Sequence, residues 1–256
     1  MKAKKWGNLL AFAGMILVNV LAETMRLGNS TTGEIAERYL NLFTPAGFTF
    51  AIWGVIYALL AVFVFRQWND LSLRGNVGWL FVTSCVLNAG WLVAWHEELL
   101  GLAVVVIAGL LLTLLAIEDR LGGSLGGGTA QTLVRAAFDL YTGWIIVATI
   151  GSVSTWLTQI GWNGFGLSEA FWTVVVTLFG AAVTTAFVVQ KKRALVGAAV
   201  IWAYIGILTR QLSATGFNGR YPAVVAAAAF GIAAITVSIL SALFAPRQAV
   251  RKRARS

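Results

Sequence analysis

The run PAGFTFAIWGVIYALLAVFVFR, residues 45–66, carries no charge until Arg66. A helix needs roughly 20 predominantly apolar residues to cross a hydrocarbon core about 30 Å thick. This stretch alone therefore predicts a membrane span. Its apolarity is continuous rather than alternating, which selects a helix over a strand of a transmembrane barrel. Further runs of the same kind cover about 4–22, 76–95, 99–117, 137–158, 169–190, 194–212 and 222–244. The sequence thus predicts an all-α fold, a polytopic transmembrane helix bundle of about eight spans.

Composition points the same way. Of the 256 residues, 59% are apolar and 11% charged, against about 25% charged in an average soluble domain. That leaves too little polar surface to cover a water-soluble globule of this size. Cys85 is the only cysteine and His96 the only histidine. A disulfide scaffold within the chain and a His-rich metal centre are therefore excluded. With its one His in an outer turn, the chain has no Ser–His–Asp or Cys–His set, which argues against a hydrolase.

The net charge of +9 reads as a topology signal. With the N-terminus placed inside, only Arg26, Arg38, Arg210 and Arg220 of the 19 Lys and Arg residues fall in outer loops. This positive-inside bias predicts eight spans with both termini cytoplasmic, in what we expect to be a bacterial cytoplasmic membrane. The basic tail 247–255 is expected to meet anionic lipid headgroups rather than nucleic acid. The first span also fits a cleaved signal peptide with a small-residue site near Ala22. Its length and the polar Asn19 favour a retained span.

Most loops are short. In the outer loop 23–44, Thr31 and Glu34 have capping-box spacing. Ile35, Tyr39, Leu42 and Phe43 then recur at helical intervals. These features predict a short amphipathic helix on the outer surface, ending at Pro45. It could be an interfacial anchor or a lid over a cavity. The Gly-rich inner loop 121–130 lacks a Lys–Ser/Thr pair and a preceding strand, so it reads as a linker rather than a phosphate-binding loop.

Three spans carry polar and aromatic stripes. Phe50, Trp53, Tyr57 and Leu60 lie on one face of the second span. Asn88, Trp91 and Trp95 do so on the third, and Tyr141, Trp144, Ala148 and Ser152 on the fifth. Each set recurs at steps of three or four and so shares one helix face. From the helical rise, Trp53 and Asn88 lie ~12 Å below the outer end of their spans, Ala148 ~15 Å and Trp144 ~21 Å. The stripes can therefore meet around one volume, either as packed core or as a ligand cavity. An amide in hydrocarbon is costly unless paired, so Asn88 must face a helix neighbour or a ligand.

Other residues fit simpler roles. Trp6, Trp68, Trp79, Trp162 and Trp172 fit interfacial belts. Asp139 is expected to pair locally with Arg135 near the headgroups. His96, Glu97 and Glu98 are expected in a solvated turn, and Cys85 as a buried packing residue. Gly206 and the run Ala226–Ala229 allow close helix contact, within the chain or in a homodimer.

The same stripes resemble a known family. Thr44-Pro45-Ala46-Gly47-Phe48-Thr49-Phe50-Ala51-Ile52-Trp53, continuing to Tyr57, resembles the signature of the TspO/MBR family, the tryptophan-rich sensory proteins related to the translocator protein. Leu87-Asn88-Ala89-Gly90-Trp91 resembles its third-span Leu-Asn-x-x-Trp, and Gly101-Leu102-Ala103 the opening of its fourth. Tyr141-x-x-Trp144, then Ala148-Thr149 and Trp156, resemble its fifth-span pattern. The chain departs in keeping only Pro45 of a double proline, in Leu140 where the family has proline, and in Ser152 for an asparagine. The motifs cover about residues 1–160. The resemblance therefore implies a TspO-like five-helix core over 1–160, followed by three additional transmembrane helices and a basic cytoplasmic tail over 161–256.

The resemblance also implies a pocket beneath the first long loop that takes porphyrins or other hydrophobic small molecules. Its matching residues are Trp53, Tyr57, Asn88, Trp91, Trp144 and Ala148. The implied role is that of a sensor or regulator, with no cofactor required, a porphyrin as ligand, and membrane lipid as the surrounding partner. Two alternatives stand beside it. One is a transporter or permease component completed by the last three spans; scarce intramembrane charge and the lack of two matching halves weigh against it. The other is light-dependent porphyrin breakdown, as reported for some members.

Overall fold

The computed structural model describes residues 2–25, 30–69, 77–122 and 128–244. Arg26, Arg74, the linker glycines Gly123, Gly126 and Gly127, and the basic tail 247–255 lie outside the described residues. Among those described there are helices and no strands.

In chain order the helices are α1 (Lys2–Thr24), α2 (Thr32–Arg38), α3 (Ile52–Arg66), α4 (Trp79–His96), α5 (Leu100–Gly122), α6 (Thr129–Gln159), α7 (Glu169–Lys191), α8 (Ala194–Leu212) and α9 (Pro222–Phe244). A 3₁₀ turn, Gly47–Ala51, feeds α3. α1, α4 to α9, and α3 together with the turn that feeds it (Gly47–Arg66) are long and apolar enough to cross a bilayer, so the chain is an integral membrane protein with eight candidate spans among the described residues.

α6 is the axis of the bundle. Its 31 residues make a rod about 46 Å long at 1.5 Å per residue. It begins at Thr129, eight residues before the expected 137, because the stretch after Gly128 holds no helix breaker. α3, α5 and α8 pack on it, α4 packs on α5, and α1 packs on α4. At Gly143 the lack of a side chain lets α8 come close, since a Cβ there would strike the Val196 backbone. α7, α8 and α9 pack on one another, and α8 is their main joint to α6.

The loop between α1 and α3 folds down over the bundle. The Thr31–Glu34 capping box forms as the spacing predicted: the Glu34 amide donates to Thr31 Oγ1 at 3.2 Å, and the Thr31 amide to Glu34 Oε2 at 2.8 Å. The helix does not run to Pro45; α2 stops at Arg38. Local side-chain bonds win over the helix there. Asn41 Oδ1 accepts from the Phe43 amide at 3.1 Å, and Thr44 Oγ1 from the Asn41 amide at 3.2 Å. Ile35, Leu42 and Phe43 still point inward and are buried.

Two further expectations are corrected. His96 is not in a solvated turn. It ends α4, is 3% exposed, and its Nδ1 lies 2.9 Å from the Leu92 carbonyl oxygen. Its place on the inward face at the end of α4, one turn beyond Leu92, turns the ring into the protein, where Nε2 is buried without a hydrogen-bond partner among the described residues. Asp139 forms its ion pair with Arg193, 3.4 Å away, and Arg135 donates instead to the Leu121 carbonyl at 3.5 Å. The α7–α8 turn carries Arg193 directly into that space. Cys85 is buried, as expected of a packing residue.

Candidate ligand-binding site

The three stripes converge. Trp53 on α3 is their hub: its ring stacks on Tyr57 at 5.3 Å between centroids, and lies 6.2 Å from Trp91 on α4. Tyr141 and Trp144 on α6 stand edge-on to it at 5.9 and 6.0 Å. Phe50 meets Trp144 at 6.0 Å, and Trp91 meets Trp95 at 5.5 Å. Much of the shared volume is therefore filled by ring against ring, in the edge-on and offset geometries that aromatic quadrupoles favour.

Two spaces remain. A small chamber of about 60 Å³ lies under the lid, walled by Trp53, Trp91, Trp95, Trp144, Ala148 and Ser152 and roofed by Phe43 and Pro45. A larger groove of about 540 Å³ opens between α1 and α3. Its walls include Ile16, Asn19, Val20 and Glu23 on one side and Phe50, Trp53 and Tyr57 on the other. Trp53 and Phe50 line both and form the partition between them.

Of the six residues that sequence reasoning singled out, Trp53, Trp91, Trp144 and Ala148 wall the chamber, and Tyr57 walls the groove. Asn88 belongs to neither wall. It is the centre of a hydrogen-bonded chain through four helices. The Tyr57 hydroxyl donates to Asn19 Oδ1 at 2.6 Å, Asn19 Nδ2 to Asn88 Oδ1 at 3.0 Å, and Asn88 Nδ2 to the Tyr141 hydroxyl at 3.0 Å. Asn88 thus faces helix neighbours, one of the two outcomes that burying an amide in hydrocarbon allows. Asn19 was not singled out for the site. The signal was the same as for Asn88, an amide inside an apolar run.

The chamber walls also hold two donors without acceptors. The indole N–H groups of Trp91 and Trp144 are buried and find no hydrogen-bond partner among the described residues. Buried donors of this kind are rare in native structures and call for a water or a ligand.

The lid is pinned from several sides. Trp95 Nε1 donates to the Thr32 carbonyl at 3.2 Å, and the Thr32 amide to Glu23 Oε1 at 3.2 Å. Arg38 and Tyr39 both bind Glu98 in the α4–α5 turn, and Arg210 on α8 binds Glu37. The Leu42 amide donates to Glu169 Oε1 at 2.7 Å, Gln211 Nε2 to the Leu42 carbonyl at 2.8 Å, and Trp202 Nε1 to the Thr49 carbonyl at 2.9 Å. The Ala46 amide reaches the Gly206 carbonyl at 3.0 Å, and a Cβ on Gly206 would overlap the Thr49 side chain. Glu98 as acceptor pushes the Tyr39 phenol above its ordinary pKa.

A family model described as TSPO-like protein matches residues 5–241 of the chain that builds this site. The chain belongs to the TSPO-like protein family. The match reaches from within the first candidate span of this TSPO-like chain to within the eighth, and so extends over the three helices beyond the motifs that end near residue 160. No curated protein and no solved structure matches the chain.

Proposed function

We propose that this TSPO-like protein binds a porphyrin or similar flat hydrophobic molecule and acts as a sensor or regulator in the bacterial cytoplasmic membrane, with both termini cytoplasmic. The observation that carries the reading is the Trp53 hub, with two unpaired indole donors behind it and a groove of about 540 Å³ in front. Small-molecule sites typically span ~300–1,000 Å³, so the groove has the size for a macrocycle. The chamber of about 60 Å³ has room for about two waters at ~30 Å³ each. The ring therefore enters between α1 and α3 and lies against Trp53 and Tyr57. An acceptor oxygen on its edge reaches toward the Trp91 and Trp144 N–H groups once the Trp53 partition shifts.

The test is titration of the purified protein with protoporphyrin, followed by tryptophan fluorescence. Trp53→Phe and Trp144→Phe are expected to weaken binding, and Asn88→Ala to weaken it by releasing the Tyr57–Asn19–Asn88–Tyr141 chain. Binding curves that superpose on wild type for all three variants would place the ligand elsewhere.

A further inference from the structure

At the end of the bundle away from the lid, α5, α6 and the α7–α8 turn bring three charged side chains into one buried spot. Glu118, Asp139 and Arg193 are 4%, 5% and 4% exposed. Arg193 Nη2 lies 3.3 Å from Glu118 Oε2, and its Nη1 3.4 Å from Asp139 Oδ1. One guanidinium thus serves two carboxyl groups, with a different nitrogen for each. Arg193 Nη2 also donates to the Glu118 carbonyl at 3.4 Å, and the Thr142 hydroxyl to Glu118 Oε1 at 3.5 Å.

The charges do not balance. Two carboxylates against one guanidinium leave one net negative charge in a desolvated site. Carboxylates sharing such a site do not both ionise; one takes a proton instead. The bonding is incomplete in the same sense. Glu118 Oε2, Asp139 Oδ1 and Arg193 Nη1 have no hydrogen-bond partner of adequate geometry among the described residues, although they are buried. A proton on either carboxyl supplies the missing donor.

Arg135 lies one turn from Asp139 on α6 and is half-buried. Its charge also acts on the Asp139 carboxylate, but its side chain donates to the Leu121 carbonyl at 3.5 Å and leaves Arg193 as the guanidinium that contacts both carboxyl groups. Lys191 pairs with Asp119 at 3.1 Å on the surface, and Arg66, Arg120 and Lys192 are exposed.

We propose that Glu118, Asp139 and Arg193 form a proton-binding site, in which the two carboxyl groups share one exchangeable proton and Arg193 neutralises the remaining charge. The reaction is the transfer of one proton between a carboxyl oxygen and water at that face of the protein. Arg193 arrives on the α7–α8 turn, so loss of the proton sets two carboxylates against one guanidinium and loosens the joint between that hairpin and α5–α6. This site stands apart from the aromatic one and does not depend on any ligand there.

The experiment uses the full chain in mild detergent. Infrared difference spectra between mildly acidic and alkaline pH are expected to show the carbonyl band of one protonated carboxylic acid per chain at neutral pH. That band is lost on alkalinisation, and is missing at neutral pH from Glu118→Gln and from Asp139→Asn, in which the remaining carboxylate pairs one-to-one with Arg193. The folded state then holds one proton more than the unfolded state above the ordinary carboxylate range of about 4. Stability is therefore full at low pH and falls as pH rises above about 4, the folding equilibrium dropping about tenfold per pH unit until the folded site itself gives up its proton, and levelling off beyond that. Each single amide variant leaves a one-to-one pair with Arg193 and is expected to lose this dependence. Absence of the wild-type band at neutral pH overturns the proposal, as do amide variants that keep the wild-type pH profile. Stability that follows sodium or potassium concentration rather than pH assigns the site to a metal cation and overturns it too.

Discussion

Asn19→Ala is expected to destabilise the protein although no charge or large apolar group is removed. The change deletes two bonds between helices, from Tyr57 on α3 and to Asn88 on α4, and one local bond to the Met15 carbonyl. Interhelical hydrogen bonds in membranes average about 0.6 kcal/mol each, with ~1.7 as the upper end. The two lost bonds thus amount to about 1.2 kcal/mol. Asn88→Ala also deletes two, to Asn19 and Tyr141. It is expected to cost more, because Tyr141 is fully buried while Tyr57 borders the groove and can find another partner. The Asn19–Asn88 bond is common to both changes. The double variant therefore loses three interhelical bonds rather than four and falls short of additivity by about 0.6 kcal/mol. The assay is reversible unfolding in mixed micelles with a rising fraction of denaturing detergent, followed by helical circular dichroism. A neutral Asn19→Ala, or strict additivity of the pair, would refute the four-helix chain.

Trp144→Phe deletes an N–H without a hydrogen-bond partner among the described residues, together with part of a buried ring packed on Trp53 and Phe50. The thermal midpoint is therefore expected to fall from the lost packing while affinity for a porphyrin with acceptor oxygens drops several-fold, read by titration; an unchanged affinity would show that the N–H does not meet the ligand. Gly206→Ala drives a Cβ into Thr49 and to 3.2 Å from Pro45, which should cost about 1–3 kcal/mol and raise protease cleavage in the lid; an unchanged melt would show that the lid does not rest on α8 as described. Trp202→Phe loses the bond to the Thr49 carbonyl, worth about 1 kcal/mol, and is expected to speed ligand release in stopped-flow measurements. The Tyr39 phenol titrates above the ordinary value of about 10 because its hydroxyl donates to Glu98 and ionisation would remove that donor. Its contact with Glu98 is kept below that value and lost as pH rises through the raised one. Ultraviolet difference titration of wild type against Tyr39→Phe reads this, and Glu98→Gln should bring the phenol back toward its usual range.

The spans were legible because the bilayer is a uniform solvent that judges each segment by its own length and apolarity. The run 45–66 needs no knowledge of the rest of the chain to be called a helix, and the capping box at Thr31 is equally local. The stripes were legible for a related reason: helical spacing puts Trp53 and Tyr57, or Trp91 and Asn88, on one face whatever that face meets. Other features depend on residues far apart in the chain. That the rings fill most of their shared volume, leaving a chamber of about 60 Å³, follows from three helices meeting around Trp53. That α2 packs against α4 follows from lid bonds to Glu98, Glu169, Arg210 and Gln211.

Arg193 illustrates the same division. In the sequence it is one of several basic residues between two spans and counts only toward topology. In the fold it is the sole ion-pair partner among the described residues for two buried carboxyl groups, 75 and 54 positions away in the numbering. The tryptophans divide likewise. Their number and depth were set by the sequence itself, through hydropathy and a 3.6-residue period. Which of them pack, which border a groove, and which keep an unpaired N–H was decided by tertiary structure, because hydrogen bonds and ring contacts act over a few ångströms in space and are blind to distance along the chain.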